Sequence, residues 1–352
     1  MHRRQFLAAG AGTAAATLAG CRSLFETRSS RVPPLVDDRP DAVYYPTHVE
    51  GMQMVGTTTA GDYTVALTYS FPHRFWQIDV DEANKVDIAD DDTLHLMTTV
   101  WDEETGTVIP NDGMRVSISA DGEAVASGRL WAMLSQNMSV HAGDNFSLDG
   151  DGTYDVEVRI DPVSDRTTGA FADRFADLAA AAFTLEFSES TLDETEFRRL
   201  DDREGDRGAV EPMEMEMVPV ATTPAPGDLP GSPVGEPKSG DAVFATTVLD
   251  SPPTGVDGDG AYLAVSARTP YNAYPLPMLS LSATLDRGDE TPFDGSLTPT
   301  LDPDLGYHYG AAVPSVESGD DLALTVDAPP QISRHEGYET AFLDFETMSL
   351  TV

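Results

Sequence analysis

The chain has one cysteine, Cys21, among 352 residues. Iron–sulfur clusters, blue-copper centres and cysteine–zinc sites need a thiolate inside the fold, so they are excluded, as is any internal disulfide. A metal ion would have to sit on His, Met, Asp or Glu. Positive charge is scarce as well: 21 Lys and Arg stand against 60 Asp and Glu, for a net charge of -39. Nucleic acid is thereby excluded as a partner, because phosphate binding needs a basic stripe. Anionic lipid repels such a surface, so membrane contact must come through a covalent or hydrophobic anchor. No apolar run reaches the roughly 18 residues of a bilayer span. The acidic excess runs through the whole folded part, which fits a halophilic protein whose carboxylates hold hydration water while salt screens their repulsion. Also missing are a Gly-x-Ser-x-Gly elbow, a His-Glu-x-x-His helix and a phosphate loop. These absences point away from an enzyme and from any organic cofactor.

What is present begins with an address. Arg3-Arg4, the small apolar run Ala8 to Ala19 and the closing Leu18-Ala19-Gly20-Cys21 form a tripartite export signal over residues 1–21. The arginine pair resembles a twin-arginine signal, and the closing tetrad resembles a lipobox whose cysteine is lipidated after cleavage. The expectation is an extracytoplasmic protein anchored to the outer face of the cell membrane through lipidated Cys21. Residues 22–46, with Pro33-Pro34, Pro40 and Pro46, read as a disordered tether.

Beyond the tether the pattern is strand-like. Period-two alternation marks Tyr63 to Phe71, Leu94 to Trp101, Met114 to Ala120, Gly128 to Leu134, Tyr154 to Ile160 and Ala182 to Phe187. Turn signals such as Asn111-Asp112-Gly113 and Asp121-Gly122 separate them, and one short helix or turn is expected within Ala170 to Ala181. Residues 190–240 read as an acidic linker rich in Met, Pro and Gly, in which Met213, Met215 and Met217 alternate with glutamates as a spacer. Strand patterns return at Ala242 to Leu249, Ala261 to Arg268, Met278 to Leu285, Leu322 to Val326 and Phe342 to Val352. The fold class expected is all-β: two antiparallel β-sandwich domains in tandem, 47–189 and 241–352. The halves look duplicated. A shift of 167 positions lays Leu130 on Leu297, Leu134 on Leu301, His141 on His308, Gly143 on Gly310 and Pro162 on Pro329.

Few residues can carry metal chemistry. Of the seven histidines, His2 lies in the signal and His48 reads as solvated at the tether end. The remaining imidazoles suit copper, zinc or iron, and methionine sulfur adds a preference for Cu(I). Met133 and His141 bracket a strand-to-loop excursion that Gly143 lets turn back, so His141 can approach Met133 or Met138. His95 and Met97 are two apart on one strand and share a face. His73 follows Pro72 at a strand end. Packing alone also explains each of these residues singly. Asn137-Met-Ser139 and Asn145-Phe-Ser147 are glycosylation sequons, and a glycan at Asn137 or Asn145 would crowd such a site.

Leu130-Trp-Ala-Met133, His141-Ala-Gly143-Asp-Asn145 and Gly152-Thr-Tyr154 running to Ile160-Asp-Pro162 resemble the periplasmic iron-transport accessory proteins and related pathogen lipoproteins. The second half is similar through Gly306-Tyr307-His308-Tyr309-Gly310 and Arg334-His335. The first half also resembles a haloarchaeal lipoprotein family known only as a domain of unknown function. What the resemblance implies is an immunoglobulin-like sandwich binding copper through His and Met, serving iron uptake beside a membrane metal permease, often as a homodimer. Carried across, Met133 and His141 match the family's ligands in the first half, and His308 and His335 match them in the second. Departures are plain. The family's early-strand His and Glu have no counterpart in Asp62-Tyr-Thr64-Val-Ala66, the first half reads Arg166-Thr-Thr-Gly169 where a downstream His is expected, and Thr300 stands in the place of Met133. Either His73 and His95 complete a rearranged site, or the chain is a non-catalytic structural and interaction lipoprotein without metal.

Overall fold

β-Branched and aromatic side chains at alternate positions favour extended chain with one face in the core. The computed structural model describes residues 31–352, and the expected signal and Cys21 lie outside the described residues. Almost every element is a strand. The first half holds β1 (His48–Glu50), β2 (Gln53–Ala60), β3 (Tyr63–Ser70), β4 (Phe75–Asp79), β5 (Glu82–Val86) and β6 (Leu94–Trp101). It continues through β7 (Met114–Ala120), β8 (Glu123–Ser135), β9 (Ser139–Phe146), β10 (Gly152–Ile160), β11 (Arg166–Thr167) and β12 (Ala179–Phe187). A one-turn helix, α1 (Glu189–Asp193), and β13 (Phe197–Arg199) lead onward to β14 (Ser232–Gly235), β15 (Lys238–Ser239), β16 (Ala242–Leu249) and β17 (Ala261–Arg268). The chain closes with β18 (Ser280–Arg287), β19 (Glu290–Asp302), β20 (Gly306–Val313), β21 (Asp321–Ala328), β22 (Ser333–Arg334) and β23 (Met348–Thr351).

The two large sheets share one strand order. The first runs β12-β10-β7-β8-β9-β6-β3-β2, and the second, read in the same sense, runs β23-β21-β18-β19-β20-β17-β16-β14. Each is folded into two layers by a 13-residue strand that changes partners. β8 pairs with β7 up to Leu130 and with β9 from Trp131, while β19 pairs with β18 up to Leu297 and with β20 from Thr298. Both changes of partner sit 167 positions apart. Burial follows: β10 alternates along its length, whereas β6 is buried throughout. One large apolar core spans both halves, with Val65, Leu96 and Val156 from one and Val265, Leu301 and Tyr309 from the other, and a small cluster of Tyr262, Ala264 and Leu305 lies apart from it. Val36 to Val352 forms one unit.

Two short strands exchange between the halves. β11 pairs in parallel with β19, Arg166 opposite Thr300, and β22 pairs in parallel with β8, Ser333 opposite Met133. The same shift of 167 carries 166 to 333 and 133 to 300, so the two crossings are reciprocal.

Three sequence expectations need correction. The tether does not extend to residue 46: Ala42, Val43 and Tyr44 are fully buried. The Tyr44 hydroxyl donates to Glu339 at 2.5 Å, and the Val43 N–H donates to Asp241 at 2.6 Å. This apolar triplet finds a core that its flanking prolines concealed. His48 is likewise not solvated but lies on β1, its ring 4.9 Å from that of Phe197. Of the short helix or turn expected within Ala170 to Ala181, the structure has a single 3-10 turn at Gly169–Phe171; Asp173 and Phe175 at positive φ follow it, and Ala179 onward joins β12 beside β10. The stretch 190–240 is no free spacer, since Leu192, Leu200, Val210, Val218 and Ala221 are buried.

Candidate metal site

The excursion expected after Met133 is a hairpin strand. β9 continues the sheet, with Met133 opposite His141 on one side, and His95 opposite Asn145 and Met97 opposite Gly143 on the other. Alternation puts His95, Met97, Met133, His141, Gly143 and Asn145 on one face. His73 hangs over that face from the bend after β3, fixed by the Asn145 amide: the His73 N–H donates to Asn145 Oδ1 at 3.3 Å, and Asn145 Nδ2 donates to the His73 carbonyl at 3.0 Å. His335 comes from the second half. It follows β22, whose Arg334 pairs with both Trp76 of β4 and Leu134 of β8, and its own N–H donates to the Leu134 carbonyl at 3.1 Å.

These side chains converge. One ring nitrogen from each of His73, His95 and His335 lies within 4.8 Å of the others. Ring centroids are 4.0 Å apart for His73 and His95, 4.8 Å for His73 and His335, and 5.2 Å for His141 and His335. The Met133 sulfur is 3.3 Å from His335 Nε2. His95 and Met133 are fully buried and His141 is nearly so. Nitrogen ligands at about 2.0–2.1 Å from a shared ion lie within about 4 Å of one another, so closing on an ion requires side-chain shifts of about 1 Å.

The protonation pattern suits a metal. Asn145 Oδ1 accepts from His95 Nδ1 at 2.8 Å, and the Ser139 carbonyl accepts from His141 Nδ1 at 3.0 Å. Each ring therefore carries its proton on Nδ1 and turns a bare Nε2 lone pair inward. The Nε2 atoms of His73, His95 and His141 are buried without a hydrogen-bond partner. Burial lowers His73 to about 3, with His48 and His141 adding to the shift, and lowers His141 to about 4. His95 and His335 fall well below the ordinary histidine value, again chiefly through burial and then through the neighbouring imidazoles. Near neutrality the site is a cluster of uncharged nitrogen donors and one thioether. Inward-facing buried lone pairs without protein partners are what a cation requires, and this donor set fits a soft or borderline ion.

Glycine makes the site possible. A Cβ on Gly143 would stand 2.7 Å from His95 Nε2 and 3.0 Å from the Leu96 carbonyl, so only glycine lets the His95 ring lie there. Gly143 thus clears space within a strand instead of turning a loop. Asn145 has a structural role that its sequon does not suggest: a glycan on Nδ2 would remove its hydrogen bond to His73. Asn137 also uses its amide, donating to the Glu50 carbonyl at 3.3 Å. Glu50 borders the cluster, its carboxylate 3.7 Å from His73 Nδ1. Sequence reasoning passed over Asn145 as an orienting group, although its period-two spacing from His141 through Gly143 marks the shared face.

His308 does not pair with His335 as the resemblance implied. It lies on β20 of the other sheet, its Nε2 engaged by the Tyr262 hydroxyl at 2.9 Å. The reciprocal crossing is the reason: β22 delivers His335 to the first half, while β11, with Arg166, joins the second.

Residues 227–351 match a family described as Domain of unknown function (DUF7350). That stretch is the second half, whereas the sequence reading placed its resemblance to a family of unknown function on the first. No curated protein matches. Among solved structures the chain is similar to a copper-bound variant of FetP from uropathogenic Escherichia coli strain F11, at 16% identity and a TM-score of 0.29, over 39% of this chain and 92% of that one.

Proposed function

We propose that His73, His95, Met133, His141 and His335 bind one transition-metal ion, with copper the first to test and iron the second. The observation that carries this reading is the trio His73, His95 and His335, whose ring nitrogens lie within 4.8 Å of one another, beside buried Nε2 atoms on His73, His95 and His141 that have no hydrogen-bond partner. A thioether beside neutral imidazoles favours Cu(I) over harder ions. The reading is binding and handover of the ion. The twin strand order supports two immunoglobulin-like sandwiches in tandem. Arg3-Arg4 and Cys21 support export and lipid anchoring at the outer membrane face, where an acidic, halophilic protein would pass its ion to a membrane permease. Because His335 reaches the first half within one chain, the site needs no homodimer to be complete.

Metal analysis of the protein in high salt, wild type against His141→Ala, tests this reading. One equivalent of copper in the wild type and a large loss in the variant are expected. Equal content in both would leave a displayed scaffold whose histidines only pack.

A further inference from the structure

The second half repeats the strand order of the first, so it repeats the place where the donors meet. Shifted by 167, His95, Met133 and His141 become Tyr262, Thr300 and His308. These also converge. Thr300 is the register partner of His308, as Met133 is of His141. His308 Nδ1 donates to the Gly306 carbonyl at 3.0 Å, matching the bond from His141 to Ser139. Gly310 provides the space: a Cβ there would run into the Tyr262 hydroxyl, as one on Gly143 would run into His95.

The middle of this second constellation holds a side chain. Arg166, delivered by β11 in the crossing that mirrors β22, donates to Thr300 Oγ1 at 2.7 and 3.1 Å, to the Tyr262 hydroxyl at 2.9 Å and to the Gly310 carbonyl at 2.8 Å. Its guanidinium carbon lies 5.7 Å from the Tyr262 ring centroid. The hydrogen bonds run in one direction, from Arg166 to the Tyr262 oxygen, from the Tyr262 hydroxyl to His308 Nε2, and from His308 Nδ1 to Gly306. No lone pair of His308 is left to face an ion.

We infer that the second half carries the counterpart of the metal site as a permanently filled cation site, in which the Arg166 guanidinium stands where an ion would stand. It rests on the proposed function for the first half in one respect, the expected stoichiometry of one ion per chain. The donor chemistry has changed together with the cation. The sulfur and one nitrogen, which suit copper, are replaced by hydroxyl oxygens, which suit the planar fork of donors on a guanidinium.

Copper(I) content of the full protein in high salt is the first readout. Wild type is expected to hold one equivalent, the triple variant Arg166→Ala, Tyr262→His, Thr300→Met two, and the same variant with His308→Ala one again. A folded triple variant that still binds one equivalent, or a wild type that binds two, overturns the inference. A second measurement needs no metal. Arg166→Ala is expected to lower the Tm, and millimolar methylguanidinium to restore it where methylammonium does not. Absence of that restoration overturns the cation-site assignment even if the triple variant fails to fold. A wild type that binds no copper, with the restoration intact, removes the proposed function and leaves this assignment standing.

Discussion

Asn145 holds two of the proposed ligands with one amide, accepting from the His95 ring and clamping the His73 backbone from both sides. Groups that hydrogen-bond the far nitrogen of a metal-bound histidine typically account for about 10–100-fold in affinity. Asn145→Ala is therefore expected to weaken Cu(I) binding by about 10–100-fold in a competition titration; unchanged affinity would mean that the His95 tautomer is set elsewhere. Gly143→Ala acts by volume. Its methyl would collide with His95 Nε2 and the Leu96 carbonyl, and overpacking of this kind costs about 1–3 kcal/mol, measurable by denaturant unfolding. Copper content should fall with it. His73, His95 and His141 were legible in the sequence because the chain has only seven histidines, and Met133 because it brackets the same segment as His141. The roles of Asn145 and Gly143 were not, since both depend on which residue of β6 lies opposite each residue of β9.

A two-residue strand decides where His335 goes. β22 is anchored by Arg334, a fully buried cation whose guanidinium donates to the carbonyls of Pro330, Ala341 and Phe342 and lies 5.6 Å from the Phe342 ring centroid. Burial lowers its pKa to about 9. Replacing it with an apolar residue leaves buried carbonyls without donors, at about 1–3 kcal/mol for each such group. Arg334→Leu is expected to lower the Tm and to weaken copper binding without touching an ion; a variant with lower Tm but wild-type affinity would show that β22 does not position His335. Strands with regular alternation were legible to the residue, β6, β7, β16 and β17 among them. β9 was not, because its Gly143 and polar Asp144 and Asn145 read as a loop. The partner of His335 was also out of reach, for a parallel crossing between residues 202 apart leaves no local periodicity.

Across the whole molecule, the buried histidines tie stability to pH. His73, His141 and His308 are lowered to about 3, about 4 and about 4, and His95 and His335 well below the ordinary value. Between those values and the unfolded histidine pKa of about 6.5, the unfolded chain binds more protons than the folded one. Stability is then full above about pH 6.5 and falls as the pH drops toward 4, steeply because six groups act together, His48 being lowered by burial as well. Asp144, raised to about 6 by burial, works in the opposite direction, as do Asp92, Asp165 and Glu339, each raised chiefly by burial. The Tm of the metal-free protein at constant high salt should decline from pH 7 to pH 5, and a flat profile would mean that these imidazoles are not buried neutral. Duplication was legible at this scale, because a constant offset of 167 survives in matched residues; the exchange of β11 and β22 between the halves was not, since an offset does not reveal which copy a strand joins. The central claim is that one ion is held by both halves of a single chain, and copper stoichiometry of His335→Ala against wild type tests it most directly. One equivalent in the wild type and a loss in His335→Ala as large as in His141→Ala are expected. A variant that keeps its full equivalent at wild-type affinity would contradict it.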